Sequence, residues 1–184
     1  MGDFDDPPAS EPTPGFTYAE VGATREPGRL PPPGYHLMRV RTRVGSGEDA
    51  FVTASRALME WRLHRAVGVG IEAGRSRAAL GVPVAVVVRL GPLRLLRAPC
   101  RVVWVVEEDG LAGWGYGTLP GHPVRGEESF LVERDRMGAV WLTVTAFSRP
   151  GVWYTRAAGS LGRAAQHYYA RRCGRVMRRL LAPR

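Results

Sequence analysis

From Val82 to Ser148 the chain keeps a two-residue alternation rich in valine and other β-branched side chains. A period of two belongs to strands and not to helices. Turn-forming steps cut the run at Gly91–Pro92 and Glu108–Asp109–Gly110, with a longer break around Pro120–Gly126. The pattern predicts strands near Val82–Leu90, Leu93–Glu107, Leu111–Leu119, Ser129–Asp135 and Ala139–Ser148. Strands joined by such short steps return beside one another, so the expected sheet is antiparallel. Pro99 falls inside the longest run and predicts an edge position or a bulge. In the last strand Val140, Leu142, Val144 and Ala146 share one face, and Trp141, Thr143, Thr145 and Phe147 the other, so both faces of that strand should be partly covered.

Before this run the spacing changes. Tyr35–Val44 alternates as a strand, with Leu37 set against Arg39, Arg41 and Arg43. Ser46 followed three residues later by Asp49 resembles a capping box, and Phe51, Ala54, Leu58 and Trp61 recur at helical spacing. One helix is predicted as far as Val67, closed by Gly68 and Gly70, with Trp61 in its core stripe. Val69–Ala73 reads as a short strand and Arg75–Gly81 as a loop. After the sheet, a long helix is predicted from Thr155 or Ser160 to Leu181, with an apolar stripe of Leu161, Ala165, Tyr169, Cys173, Val176 and Leu180. Upstream, residues 1–15 are acidic and proline-rich and read as a disordered tail. Phe16–Val21 is a short strand or a docked arm, and Pro27, Pro31, Pro32 and Pro33 stiffen the connector behind it. The length of 184 residues suits a single domain over 16–184.

The order is strand, helix, antiparallel strands, long helix. An α+β helix grip, in which a curved antiparallel sheet wraps a long C-terminal helix, buries both apolar faces and leaves a cavity between them.

Composition removes several mechanisms. The formal charge is +9, and all 26 cations are arginine because lysine is absent. Asparagine is absent too, and Ile71 is the single isoleucine, as a GC-rich genome would dictate. Without lysine there is no Schiff-base lysine and no P-loop lysine. Cys100 and Cys173 are too far apart for a metal knuckle and read as cytosolic thiols. No secretory signal, myristoylation pattern or membrane-spanning run is present, so a cytoplasmic protein is expected.

Tyr116–Phe130, reading YGTLPGHPVRGEESF, holds the densest mix of special residues. Its His122, Glu127 and Glu128 are the candidate acid–base groups. Adjacent residues of a strand point to opposite faces, so at most one of Glu127 and Glu128 faces inward. A paired-carboxylate site would then need a partner such as Glu72 or Glu107. A structural role, pinning the loop by hydrogen bonds or ion pairs, is the competing account. No third metal ligand is legible, and neither a metal nor a cofactor is expected.

Several stretches resemble one family. Phe16–Thr24 (FTYAEVGAT), Pro31–His36 (PPPGYH), Tyr116–Phe130, Ala146–Pro150 (AFSRP) and Gln166–His167 fall in the order seen in uncharacterised protein family 0548, a domain of unknown function found in bacteria and plants. That family is similar to the helix-grip superfamily of the birch-pollen allergen and START-type lipid carriers. The resemblance covers Phe16 to Leu180 and implies a fold and a hydrophobic pocket. It implies no catalytic residues.

Three functional readings follow. The first is binding of a small apolar or aromatic ligand between sheet and C-terminal helix. Trp61, Trp104, Trp114, Tyr116, His122, Glu128, Phe147 and Trp153 are its candidate contacts, although such aromatics, with Trp141, fill a solid core equally well. The second is an enzyme acting on such a ligand through His122 with Glu127 or Glu128, although no G-x-S-x-G elbow is present and Gly113–Gly117 lacks a dinucleotide-site context. The third is electrostatic binding of nucleic acid or an anionic membrane through Arg163, Arg171, Arg172, Arg175, Arg178 and Arg179 of the last helix. A solvated helix face is the plainer account of those arginines.

Overall fold

The computed structural model describes residues 15–26, 28, 30–90 and 93–182, with the side chains of 88–90, 93–95 and 153–158 left out of the description. The tail expected over residues 1–15 thus lies outside the described residues except for Gly15, as do Pro27 and the Gly91–Pro92 step. Seven strands form one antiparallel sheet: β1 (His36–Ser46), β2 (Gly70–Ala73), β3 (Pro83–Leu90), β4 (Leu93–Glu108), β5 (Leu111–Thr118), β6 (Val124–Arg134) and β7 (Ala139–Pro150). Their order across the sheet is β1-β7-β6-β5-β4-β3-β2. Among the described residues a 3-10 turn at Ala23–Arg25 and three α-helices complete the fold: α1 (Glu48–Met59), α2 (Arg62–Val67) and α3 (Trp153–Leu181). The alternation read from the sequence therefore becomes the predicted antiparallel sheet, and the long final helix lies against it as expected of a helix grip.

The first helix departs from expectation. It breaks in two at Trp61, which adopts a left-handed backbone with φ of 62°. A bulky residue there costs about 1 kcal/mol or more. The compensation is tertiary. Trp61 is fully buried, its indole Nε1 donates to the Arg75 carbonyl at 3.1 Å, and its ring lies 4.8 Å from that of Trp114. The Ser46 cap is also not made: Ser46 ends β1, and Gly47 precedes α1 with no side-chain cap. α2 ends at Gly68, which takes the left-handed conformation foreseen for it.

Two strand details differ as well. Pro99 is neither at an edge nor at a bulge, because β4 is interior and its irregularity with β5 lies between Val102 and Trp104. Its carbonyl accepts from the Leu119 amide one step beyond the last β4–β5 pair, so the missing N–H falls at the end of that ladder. β6 begins at Val124, earlier than the expected Ser129, and takes Glu127 and Glu128 out of the loop.

Packing follows the two sheet faces. The inner face carries the main core, in which Leu58, Leu63, Trp114, Phe130, Leu142 and Met177 are almost wholly buried. The outer face carries a second, smaller cluster of Tyr18, Ala23, Tyr35 and Phe147. The arm around Phe16–Thr24 lies there, so both faces of β7 are covered as its pattern foretold. In α3, Ala170, Cys173, Val176 and Met177 are buried against the sheet and α1–α2. Leu161 is not part of that stripe, being 75% exposed, and Ala165 is exposed as well. The apolar stripe is thus a property of the C-terminal half of α3. In the other half Gly159 interrupts the helical backbone with φ of 40°.

Candidate functional site

Register explains where the core stops and a cavity starts. Across β5, β6 and β7 one inward row is Trp114–Phe130–Val144, and the next is Tyr116–Glu128–Ala146. The first row is large and apolar. With Trp61 and His64 from the α1–α2 segment it makes a solid aromatic cluster: His64 lies 4.6 Å from the Phe130 ring and 5.1 Å from that of Trp114. Beyond that row the β7 and β6 side chains shrink, to Ala146 in the second row and to Gly126 and Ser148 in the one after. With Ala98 of β4 they leave a space that the middle of α3 covers through Ala165, Gln166 and Tyr169. The result is a cavity of about 400 Å³ between sheet and α3. Val69, Val86, Leu96, Ala98 and Ala146 supply much of its wall, Ala165, Gln166 and Tyr169 its cover, and Tyr116, Thr118, His122 and Glu128 its polar groups.

Glu128 is the chemical centre of this cavity. It pairs directly across the sheet with Tyr116, whose hydroxyl donates to Glu128 Oε2 at 2.6 Å. Burial pushes its carboxyl up to about 7, against the smaller lowering effect of that hydrogen bond. The surface that Glu128 keeps is presented to the cavity it lines. His122 reaches the same space from the β5–β6 turn. Its Nδ1 sits between the Val124 carbonyl at 2.9 Å and the Val124 amide, which donates to it at 3.1 Å. Burial holds its imidazole down to about 4, so it is neutral near pH 7.

Glu127 points the other way. On the outer face its Oε2 accepts from the Tyr18 hydroxyl at 2.7 Å and the Gly22 amide at 2.7 Å, while Oε1 accepts from the Thr24 amide at 2.9 Å and from the Thr24 hydroxyl. Trp104 Nε1 donates in turn to Thr24 Oγ1 at 2.9 Å. Glu127 is therefore the clasp of the N-terminal arm. The glycines of β5 make room for it: a β-carbon at Gly115 would strike the Trp104 indole, and one at Gly117 the Tyr18 phenol. The sequence offered the Gly113–Gly117 alternation as a signal but nothing to say what it accommodates.

The remaining candidate contacts divide by face. Tyr116, His122 and Glu128 meet in the cavity. Trp61 and Trp114 lie in the solid core beside it. Trp104 packs on the outer face beneath the arm, and the Phe147 ring lies there too, 5.7 Å from Tyr18 and 5.2 Å from Tyr35. The Trp153 side chain lies outside the described residues. Glu72 and Glu107, the possible partner carboxylates, form exposed ion pairs with Arg97 and Arg77 and do not line the cavity. No cluster of three His, Cys, Asp or Glu side chains suited to a metal occurs among the described residues. Arg171, Arg175 and Arg178 line a groove along α3 with His167, Tyr168 and Thr42 of β1, and no arginine among the described residues lines the cavity. Sequence reasoning passed over His64 and Thr118. The first carries no motif, and the second reads as an ordinary strand threonine.

A seven-stranded antiparallel sheet closed by a long C-terminal helix over a partly apolar cavity defines the helix-grip class. Solved structures of that architecture superpose at low sequence identity. Major latex-like protein 151 of Panax ginseng has a TM-score of 0.57 at 13% identity, covering 81% of this chain and 99% of that one. A truncated norcoclaurine synthase from Thalictrum flavum has a TM-score of 0.53 at 10% identity, covering 82% and 96%. The chain itself belongs to the family described as Domain of unknown function (DUF1990), whose model matches residues 17–176. A UPF0548 protein of Deinococcus radiodurans is 40% identical over 174 residues, covering 88% of this chain and 85% of the relative. One from Arabidopsis thaliana is 28% identical over 163 residues, covering 85% and 78%. The family read from the motifs is therefore the family of the chain. No helix among the described residues is long and apolar enough to cross a membrane.

Proposed function

We propose that this protein binds a small, mostly apolar ligand in the cavity between the sheet and α3. The observation that supports it most directly is the space itself, about 400 Å³ of mainly aliphatic wall with a few polar groups at one place. Ligand sites combine an apolar body with a small number of oriented polar groups in this way, and occupy roughly 300–1,000 Å³. Tyr116 and Glu128 supply the orientation. Native mass spectrometry of the purified protein, followed by denaturing extraction, tests the reading: a stoichiometric small molecule supports it. Replacing Ala146 by Phe fills the cavity, so the variant should fold and lose that molecule. Retention of the same molecule by a folded Ala146→Phe protein overturns the site.

An enzyme working on such a ligand would draw on His122 and Glu128, since Glu127 is occupied by the arm. His122→Ala should then abolish turnover and leave ligand affinity largely intact. Equal loss of both, or no turnover to lose, removes the catalytic reading while the binding reading stands.

A further inference from the structure

Glu128 turns its carboxyl into the cavity, Glu127 turns away to the arm, and among the described residues no cation meets Glu128. Glu128 Oε2 is engaged by Tyr116, while Oε1 has no hydrogen-bond partner among the described residues. The chain holds 26 arginines, yet among the described residues none lines this cavity. The basic residue that does, His122, is neutral and tied to the Val124 backbone. The titratable groups that face Glu128 from the packed elements are Cys100 on β4, Tyr116 on β5, and Tyr169 and Cys173 on α3. Burial pushes every one of them up, so all are protonated and none brings a positive charge.

A carboxyl taken out of water without a partner is satisfied either by keeping its proton or by receiving a cation. Resting on the cavity reading above, we propose that the ligand is an apolar amine, its ammonium group held by Glu128 beside Tyr116 and its hydrocarbon body against Val86, Ala98 and Ala146. The ammonium supplies the missing countercharge and donates to the free Oε1. An apolar alcohol of the same shape satisfies the hydrogen bond and not the charge. A fatty acid sets a second carboxylate beside the first and is disfavoured. Ionisation of Glu128 falls near neutrality, so amine binding strengthens with rising pH while the amine itself stays protonated.

Decylamine, decanol and decanoate separate these chemistries while holding the chain length constant. Titration calorimetry on the wild-type protein and Glu128→Gln, at pH of about 5.5 and about 8.5, should show the amine roughly tenfold or more tighter than the alcohol at the higher pH only. In Glu128→Gln that preference should vanish, while continued binding of decanol, at whatever affinity, reports a cavity that is still open. Decanoate should be the weakest of the three at the higher pH. Decanol binding with no amine preference, or a preference that survives Glu128→Gln, overturns the charge recognition and leaves the cavity reading standing. Tightest binding by decanoate does the same. Failure of all three to bind removes both.

Discussion

The Tyr18 phenol rests on the α-carbon of Gly117, in space that a β-carbon would need. From that position its hydroxyl reaches Glu127 at 2.7 Å. One missing side chain on β5 therefore sets the height at which the whole N-terminal arm docks. Gly117→Ala should lift the ring and weaken the Glu127 bonds together, at a cost of about 1–3 kcal/mol typical of overpacking. The expected readout is a lower Tm together with faster tryptic cleavage after Arg25. An unchanged cleavage rate would show that the arm docks without this contact.

Glu127→Gln tests the clasp itself. The carboxylate accepts from two backbone amides and two hydroxyls, and an amide group cannot accept all four. The loss should be about 2–4 kcal/mol in denaturant unfolding, because buried donors are left facing an NH₂ group. Ligand affinity in the cavity should stay within about twofold, since Glu127 lies on the opposite face.

His64 and Glu128 give stability opposite dependences on pH. His64 is buried with no partner at either ring nitrogen among the described residues, and burial holds it down to about 3 from 6.5. The unfolded chain then takes up a proton below 6.5 that the folded chain refuses, so stability falls as pH drops from 6.5 toward 3, by on the order of 4–5 kcal/mol. Glu128 is raised from 4.5 to about 7, so its unfolded form releases a proton first and stability falls as pH rises from 4.5 through 7, by about 3 kcal/mol. His64→Phe should remove the acid-side loss, and Glu128→Gln the neutral-side loss. Urea titrations across pH on the two variants measure each slope separately.

Cys100 and Cys173 are both buried, and burial pushes each thiol up, that of Cys173 to about 12. Thiolate is the reactive form, so neither should react with a disulfide reagent at neutral pH while the fold is closed. Labelling in native buffer should track unfolding, with both thiols appearing together. Early reaction of Cys173 alone would report that α3 lifts from the sheet before the rest opens.

The sheet was legible because its signal is local and long: a period of two that resumes after each turn between Val82 and Ser148 leaves few alternatives. The break at Trp61 was not, since neither glycine nor proline marks it and the left-handed tryptophan is held by tertiary contacts, among them Trp114, His64 and the Arg75 carbonyl. The start of β6 was hidden for the opposite reason. Gly126 reads as a turn residue, yet it lies within the strand with φ of 141°, where a β-carbon would collide with the Phe147 carbonyl. Alternation did say that Glu127 and Glu128 part company. It left open which faces inward, because the partners that hold Glu127 stand more than 100 residues away.

Neighbouring carboxylates with different duties make β6 intolerant of any change in length. A one-residue insertion or deletion between Gly126 and Glu127 would trade the two glutamates across the sheet, leaving the arm without its clasp and the cavity with the wrong geometry at once. Point substitution is the route left open inside this strand. Under the proposed binding function, change in ligand preference is thus channelled into exchanges at Tyr116, Glu128 and Ala146, while indels are pushed out to the turns on either side.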